Sequence, residues 1–275
     1  MATQSEKAER FVALHRREGA FVVPNPWDVG SARLLAGFGF EALATTSAGF
    51  ANSLGKPDGQ VTRDEVMEHC RSISAATEAP VSADLENCFA DDPTGVGETI
   101  LLGARAGLVG GSIEDYSGAP SNRIYDLSLA VERVQAAAEA ARSLDFPFTL
   151  TARADNIIRG RNDLDDTIRR LQAFEAAGAD VLYAPGLRTL DEVRLAADAL
   201  TKPLNVLAPL VKGATVAQLA DAGARRISVG GALARAALTA LLRACAEMRE
   251  AGSFTWSSGL ASSADVSKLL SDRAS

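Results

Sequence analysis

Histidine is nearly missing from this chain: 275 residues carry only His15 and His69, far apart. That leaves no basis for a histidine-held zinc site, so any metal must sit on oxygen ligands. Cysteine is as scarce. Cys70, Cys88 and Cys245 are odd in number and show no Cys-x-x-Cys spacing, which rules out a disulfide framework and suits a reducing, cytoplasmic setting. Positive charge is in deficit, with 28 Lys and Arg against 35 Asp and Glu for a net charge of −7. A bulk nucleic-acid or anionic-membrane partner is therefore not expected, although a few local cations could still hold a small anion. No apolar run is long enough to span a bilayer, since the most apolar late stretch, 232–248, is broken by Arg235 and Arg243. The first residues are charged throughout and lack the apolar segment of a secretory signal. No Gly-x-Gly-x-x-Gly follows an early strand pattern, and Gly95-x-Gly97 lacks the third glycine. A doubly wound dinucleotide-binding sheet is thereby only the second reading.

What is present is a hydrophobic fraction of 47% in a chain long enough to bury roughly three-quarters of its extended surface. One pattern recurs without an obvious sequence repeat. An alanine-rich amphipathic stretch ends at a small Ala-Gly step, and a short apolar run follows. The step occurs at Gly37, Gly107, Gly178 and Gly223, where glycine suits the left-handed position past a helix end. The runs fit strands buried on both faces. Eight strands are predicted: Phe21–Val23, Ala42–Thr45, Val81–Asp84, Gly111–Glu114, Phe148–Arg153, Val181–Ala184, Pro203–Leu207 and Arg226–Val229. Thr62-x-x-Glu65, Thr189-x-x-Glu192 and Thr215-x-x-Gln218 read as capping-box helix starts. Eight β/α units in one chain predict an α/β fold, a (β/α)8 TIM barrel filling 1–275 as one domain. An extra helix lies within 1–20, and 232–275 form a C-terminal helical segment.

In such a barrel the chemistry sits at the C-terminal strand ends. Those ends carry Thr46-Ser47-Ala48-Gly49, Asp84-Leu85-Glu86, Glu114-Asp115, Arg153-Ala154-Asp155, Tyr183, Asn205 and Gly230-Gly231. Three converging carboxylates, Asp84, Glu86 and Glu114, repel one another unless a cation neutralises them. Oxygen ligands without histidine or thiol point to Mg²⁺ or Mn²⁺. The plainer reading is that each acid caps a helix or pairs with a neighbour. Arg153 would offer a bidentate fork to a carboxylate or phosphonate, with Asp155 orienting it. The small residues Thr46–Gly49 could offer backbone N–H groups to an anionic oxygen. Gly55-Lys56-Pro57-Asp58-Gly59 reads as a turn that could bring Lys56 or Asp58 over the pocket.

Taken in order from about Phe11 to Ala251, these stretches resemble the isocitrate lyase/phosphoenolpyruvate mutase superfamily. The resemblance rests on Pro24-Asn25-Pro26-Trp27-Asp28, Thr46-Ser47-Ala48-Gly49, Pro57-Asp58, Asp84-x-Glu86 and Ile113-Glu114-Asp115. Ala152-Arg153-Ala154-Asp155 and the late Gly-Ala-x-Arg-x-Ser complete it. It implies Mg²⁺, with Mn²⁺ as substitute, held by Asp84 and supported through water by Glu86 and Glu114. It implies a substrate carboxylate on the Ser47 and Ala48 amides, with Trp27, Thr46 and Asn205 completing the substrate site. Asp58 would lie on a gating loop, Arg153 would steady the charged leaving or transferring group, and Asn122 matches an asparagine of the mutases. A homotetramer, a dimer of dimers exchanging the last barrel helix, is implied as well.

The departures narrow the chemistry. The lyases carry a Lys-Lys/Arg-Cys-Gly-His loop where this chain has Tyr116-Ser117-Gly118-Ala119-Pro120-Ser121-Asn122-Arg123, without cysteine. They also place a glutamate where Pro185 stands. The mutases carry Lys-Thr-Asn-Ser where Pro120-Ser121-Asn122 is found. The expectation is a metal-dependent lyase acting at C3 of a small 2-oxo or 2-hydroxy carboxylic acid through an enolate, like oxaloacetate decarboxylase or a (methyl)isocitrate lyase. The alternatives are a phosphonopyruvate hydrolase or phosphonomutase cleaving a P–C bond, and a 2-oxo-acid-binding protein with weak turnover. Tyr116, Ser121, Asn122 and Tyr183 are unranked candidates for the proton donor.

Overall fold

The computed structural model describes residues 2–118, 121 and 123–271. Eight strands alternate with helices: β1 (Phe21–Val23), β2 (Leu43–Ala44), β3 (Val81–Asp84), β4 (Gly110–Glu114), β5 (Thr149–Arg153), β6 (Val181–Tyr183), β7 (Leu204–Leu207) and β8 (Ala224–Ser228). All pairings are parallel and the order is β1-β8-β7-β6-β5-β4-β3-β2. This is the expected (β/α)8 barrel, nearly closed. At the remaining seam, between β1 and β2, Ala44 N–H donates to Pro24 O at 3.1 Å. Asn25 staples the same seam. Its Nδ2 donates to Thr45 O at 3.0 Å, and its Oδ1 accepts from the Val229 and Gly230 amides at 2.9 and 2.8 Å.

Among the described residues the helices are α1 (Gln4–Arg16), α2 (Val29–Gly37), α3 (Ser47–Ser53), α4 (Arg63–Ala76), α5 (Pro93–Arg105), α6 (Leu127–Arg142), α7 (Leu164–Ala176), α8 (Leu190–Asp198), α9 (Val216–Asp221), α10 (Ala232–Glu250) and α11 (Ser263–Ser271). Most of the helices start at a side-chain cap, though α6 and α10 do not. The three expected capping boxes start α4, α8 and α9, and two more, at Thr3/Glu6 and Asp28/Ser31, start α1 and α2. Each satisfies amide donors that the first helical turn leaves orphaned. The stretch Thr46–Gly49, expected to offer backbone amides at a strand end, opens α3, with Thr46 as its N-cap. Helix α1 is the extra N-terminal helix. Its Phe11 packs with Phe21, Val23 and Val109, and Gln4 Nε2 ties it to Ala104 O and Leu108 O at 2.7 and 2.8 Å.

Helix α11 folds back onto α2. A Cβ on Gly37 would meet Leu269 O at 2.4 Å, so the approach of these two backbones requires glycine there. Helix α10 is covered far less, with Leu238, Leu241 and Leu242 all exposed.

The lumen is unusual in its polarity. Barrel interiors are commonly filled by branched apolar layers. Here Ser82, Ser112, Thr151, Asn205, Arg226 and Ser228 on the strands, and Thr45 just past β2, are all buried, and most of them line one axial cavity of about 60 Å³ below the mouth.

Candidate active site

Parallel register sets the site. Asp84 on β3 lies opposite Ser112 on β4, and Glu114 on β4 lies opposite Arg153 on β5. Arg153 therefore reaches acids on both sides. Its Nη1 donates to Asp84 Oδ1 at 2.9 Å, and its Nη2 meets Glu114 Oε2 at 3.0 Å. Asp155, fully buried, takes the guanidinium in a two-point grip, Nε to Oδ1 at 3.1 Å and Nη2 to Oδ2 at 3.0 Å. This is the orienting role expected of it. Asp155 is itself anchored, because its N–H donates to Asp115 Oδ1 at 2.8 Å while Arg170 holds Asp115 Oδ2 at 3.1 Å.

One guanidinium cannot neutralise three carboxylates. Burial therefore raises Glu114 well above the usual carboxylate range, against the pull of Arg153. Burial alone would lower Arg153, yet Asp155, Glu114 and Asp84 together hold it well above its ordinary value. Glu86 is pushed up to about 7 by burial and by the Asp84 and Asp58 charges. Asp58, on the loop after α3, is raised by desolvation of its carboxyl and by Asp84, against its contact with the Ser47 hydroxyl. Lys56 does not reach over the pocket but pairs with Glu65 at 2.6 Å.

A second cation, Arg159, joins the cluster. Its Nη2 lies 3.8 Å from Glu114 Oε1 and its Nε 3.7 Å from Asp155 Oδ2, with its plane over the Tyr116 ring at 3.7 Å. Sequence reading missed it, although it stands one helical turn past Asp155. The loop after β3 is strained: Glu86, Cys88 and Phe89 adopt φ of 51°, 57° and 55°, where non-glycine residues rarely sit. That backbone turns Glu86 inward, where its Oε1 is buried with no hydrogen-bond partner. Cys88 points into the core instead, its thiol pushed up to about 12 by burial.

The expected substrate residues divide. Thr46, Asp84, Arg153 and Asn205 line the axial cavity together with Tyr183, Arg226 and Ser228. The Ser47 amide, at the first turn of α3, donates to Asp84 Oδ2 at 3.3 Å, and Ala48 follows it in that turn. Trp27 packs its Cβ against Gly49 and does not line the cavity. Asn122 lies outside the described residues. A larger cavity of about 590 Å³ opens at the other end of the barrel, around His15, Phe146, Phe148 and Lys202, and contains none of these groups.

Among the described residues, no three His, Cys, Asp or Glu side chains converge as one direct set of metal ligands. The donors that do gather are all oxygen. Five carboxylates (Asp58, Asp84, Glu86, Glu114 and Asp155) face two guanidiniums, a formal surplus of three negative charges. That surplus and the orphaned Glu86 oxygen fit a hard divalent cation held by few direct protein ligands. Neither histidine competes. Each is held neutral by burial, His15 down to about 3 between Phe11 and Phe21 and His69 down to about 4 stacked on Phe50.

With this geometry in hand, the comparisons agree. Residues 11–249 match the phosphoenolpyruvate phosphomutase family model. The chain belongs to that family, within the isocitrate lyase/phosphoenolpyruvate mutase superfamily, whose members are lyases and mutases. A crystal structure from Burkholderia cenocepacia J2315, described only broadly as a lyase/mutase, superposes with a TM-score of 0.94 at 54% identity, covering 98% of this chain and 96% of that one. The 2-methylisocitrate lyase of Escherichia coli K12 is 30% identical over 203 residues, 70% of this chain and 67% of that enzyme. The oxaloacetate decarboxylase of Chromohalobacter salexigens is 29% identical over 262 residues, 91% and 88% of the two chains.

Proposed function

We propose that this protein is a divalent-metal-dependent lyase acting at C3 of a small 2-oxo or 2-hydroxy carboxylic acid, with Mg²⁺ as the metal and Mn²⁺ as its substitute. The observation that carries the reading is the mouth cluster itself: Arg153 shared by Asp84, Glu114 and Asp155 beside a buried, unpartnered Glu86 oxygen. Packing alone gives no reason for so many uncompensated acids at one point. Asp84 would hold the metal, with Glu86 and Glu114 supporting it. When bound, the cation would supply Lewis-acid stabilisation to an enolate oxygen.

The chain's own groups do the rest. The Ser47 and Ala48 amides, opening α3 beside Asp84, orient the substrate carboxylate. Arg153 presents fixed positive charge toward the oxygen that becomes anionic. It needs no reorganisation to do so, because Asp155 already grips two of its nitrogens. Asp58 sits on the loop at the mouth, where its carboxyl can limit access by solvent. The exposed leucines of α10 support a homo-oligomer in which a second copy covers that helix, a dimer of dimers in the reading of the superfamily.

Purified protein with Mg²⁺ is to be incubated separately with oxaloacetate, isocitrate, methylisocitrate and phosphonopyruvate, and the products identified. Pyruvate or glyoxylate from one of the first three is expected, lost with excess EDTA and in Asp84→Ala. Full activity in either case defeats the reading. Phosphate or phosphoenolpyruvate from phosphonopyruvate would move the chemistry to the P–C bond.

A further inference from the structure

A hydrogen-bonded chain crosses the lumen below the mouth, and none of the charge compensation described above explains it. Arg226 Nε donates to Asn205 Oδ1 at 2.8 Å, and Asn205 Nδ2 donates to Ser228 Oγ at 3.0 Å. Ser228 in turn neighbours the Tyr183 hydroxyl. Arg226 also donates to Thr151 Oγ1 at 2.9 Å across the barrel.

The chain has a direction. A guanidinium has donors and no acceptor, so Asn205 must turn its oxygen to Arg226 and its amide nitrogen to Ser228. Ser228 Oγ thus receives a proton from one side and has a single hydrogen of its own. The Tyr183 hydroxyl beside it can accept that hydrogen, which would keep the phenolic proton of Tyr183 for the cavity. Tyr183 lines the same cavity as Asp84 and Arg153, and strand register places it between Arg153 on β5 and Asn205 on β7. The Arg153 guanidinium carbon stands 5.3 Å from its ring centre.

We infer that Tyr183 is the catalytic acid that protonates C3 of the enolate, and that Arg226, through Asn205 and Ser228, is a positioning residue that aims its proton into the cavity. This rests on the enolate reading of the site. In the step, the electron pair of the enolate C2–C3 double bond forms the new C3–H bond. The O–H bond of Tyr183 breaks, and the C2 oxygen becomes a carbonyl. The phenolate left behind accepts from Ser228 between two guanidiniums, Arg153 and Arg226. It regains a proton from water after product leaves. Burial keeps the hydroxyl protonated until then, pushed up to about 12, so Tyr183 meets the enolate in its acid form. Cys88 offers no such proton to the cavity, being buried in the core behind the β3 loop.

The test does not need the natural substrate. Pyruvate in D₂O with Mg²⁺ is followed by proton NMR for exchange at C3, and oxalate binding with Mg²⁺ is measured by calorimetry as the check on an intact site. The wild-type protein is expected to exchange, and Tyr183→Phe to slow exchange by about 10²-fold or more with oxalate affinity held. Arg226→Met should slow it by roughly tenfold, while Arg226→Lys, which restores a donor to Asn205, should recover it. Wild-type exchange rates in Tyr183→Phe, or a wild-type protein that binds oxalate without exchanging, would overturn this assignment and leave the lyase reading standing. A wild-type protein that binds no oxalate with Mg²⁺ would overturn both.

Discussion

Two arginines are buried in the same barrel, one layer apart, and their surroundings are opposite. Arg153, ending β5, has carboxylate oxygens of Asp84, Glu114 and Asp155 at 2.9, 3.0 and 3.0 Å. Arg226, inside β8, has only the neutral oxygens of Asn205 and Thr151, and its Nη1 has no partner. Burial consequently lowers Arg226 to about 10, whereas the three acids outweigh burial at Arg153. The contrast separates two uses of one side chain. Arg153 serves through its charge, as the shared counter-ion of Asp84, Glu114 and Asp155. Arg226 serves through having donors only, which gives a neutral hydrogen-bonded chain its direction.

The largest effect expected from this contrast is at Arg153. Arg153→Met leaves three buried acids facing one another, and should cost about 3–5 kcal/mol of stability in denaturant unfolding. Turnover should fall by about 10²-fold or more, as when an oriented charge at a developing oxyanion is removed. A loss of stability no larger than that of a surface substitution would show that Arg153 is not the counter-ion of this cluster.

A smaller effect follows from pH. The carboxyls of Glu86, Glu114, Asp58 and Asp115 are all raised in the folded protein, Glu86 to about 7 and Asp115 to about 6, first of all by burial. A raised acid binds its proton more tightly folded than unfolded. Its stabilising contribution is complete below the unfolded value near 4 and is lost as pH rises through the folded value. The metal-free protein should thus lose on the order of 1–3 kcal/mol between about pH 4.5 and 7.5. Mg²⁺ should raise the melting temperature more at pH 8 than at pH 5. Equal Mg²⁺ shifts at both values would separate the raised acids from the cation site.

Much of this was legible in the sequence, and what was not has physical causes. Four of the eight strands were readable because an Ala-Gly step announces the apolar run. Gly107, Gly178 and Gly223 take the expected positive φ, whereas Gly37 is the last residue of α2 and Gly39 takes it instead. The acids of the mouth were readable because strand ends in a barrel point to one place. Arg226 was not. It follows Arg225 directly, and on a strand only one of two neighbours can face the lumen. Arg225 is exposed and reaches Gly19 O, while Arg226 is buried, a choice fixed by register with β7 and β1 rather than by either residue. The inward turn of Glu86 was equally hidden, since nothing in Leu85–Phe89 signals three non-glycine residues at positive φ. At Thr46–Gly49 the small residues were read only as amide donors, and the helix start, capped by the Thr46 side chain accepting from the Gly49 amide at 3.4 Å, went unread.

The smallest effect expected, and the sharpest check on the comparison, is the stability of Arg226→Met. Two terms oppose. Removing the guanidinium leaves Asn205 Oδ1 and Thr151 Oγ1 without their donor, each a loss on the order of 1 kcal/mol. It also removes a charge that no acid compensates and an Nη1 that nothing accepts, while methionine fills comparable space. The balance should be a cost of only about 1–2 kcal/mol by denaturant unfolding, well below that of Arg153→Met. Equal costs at the two positions would mean that Arg226 also carries charge-dependent stability. The donor-only account of its burial would then fail, whatever the exchange experiment gives.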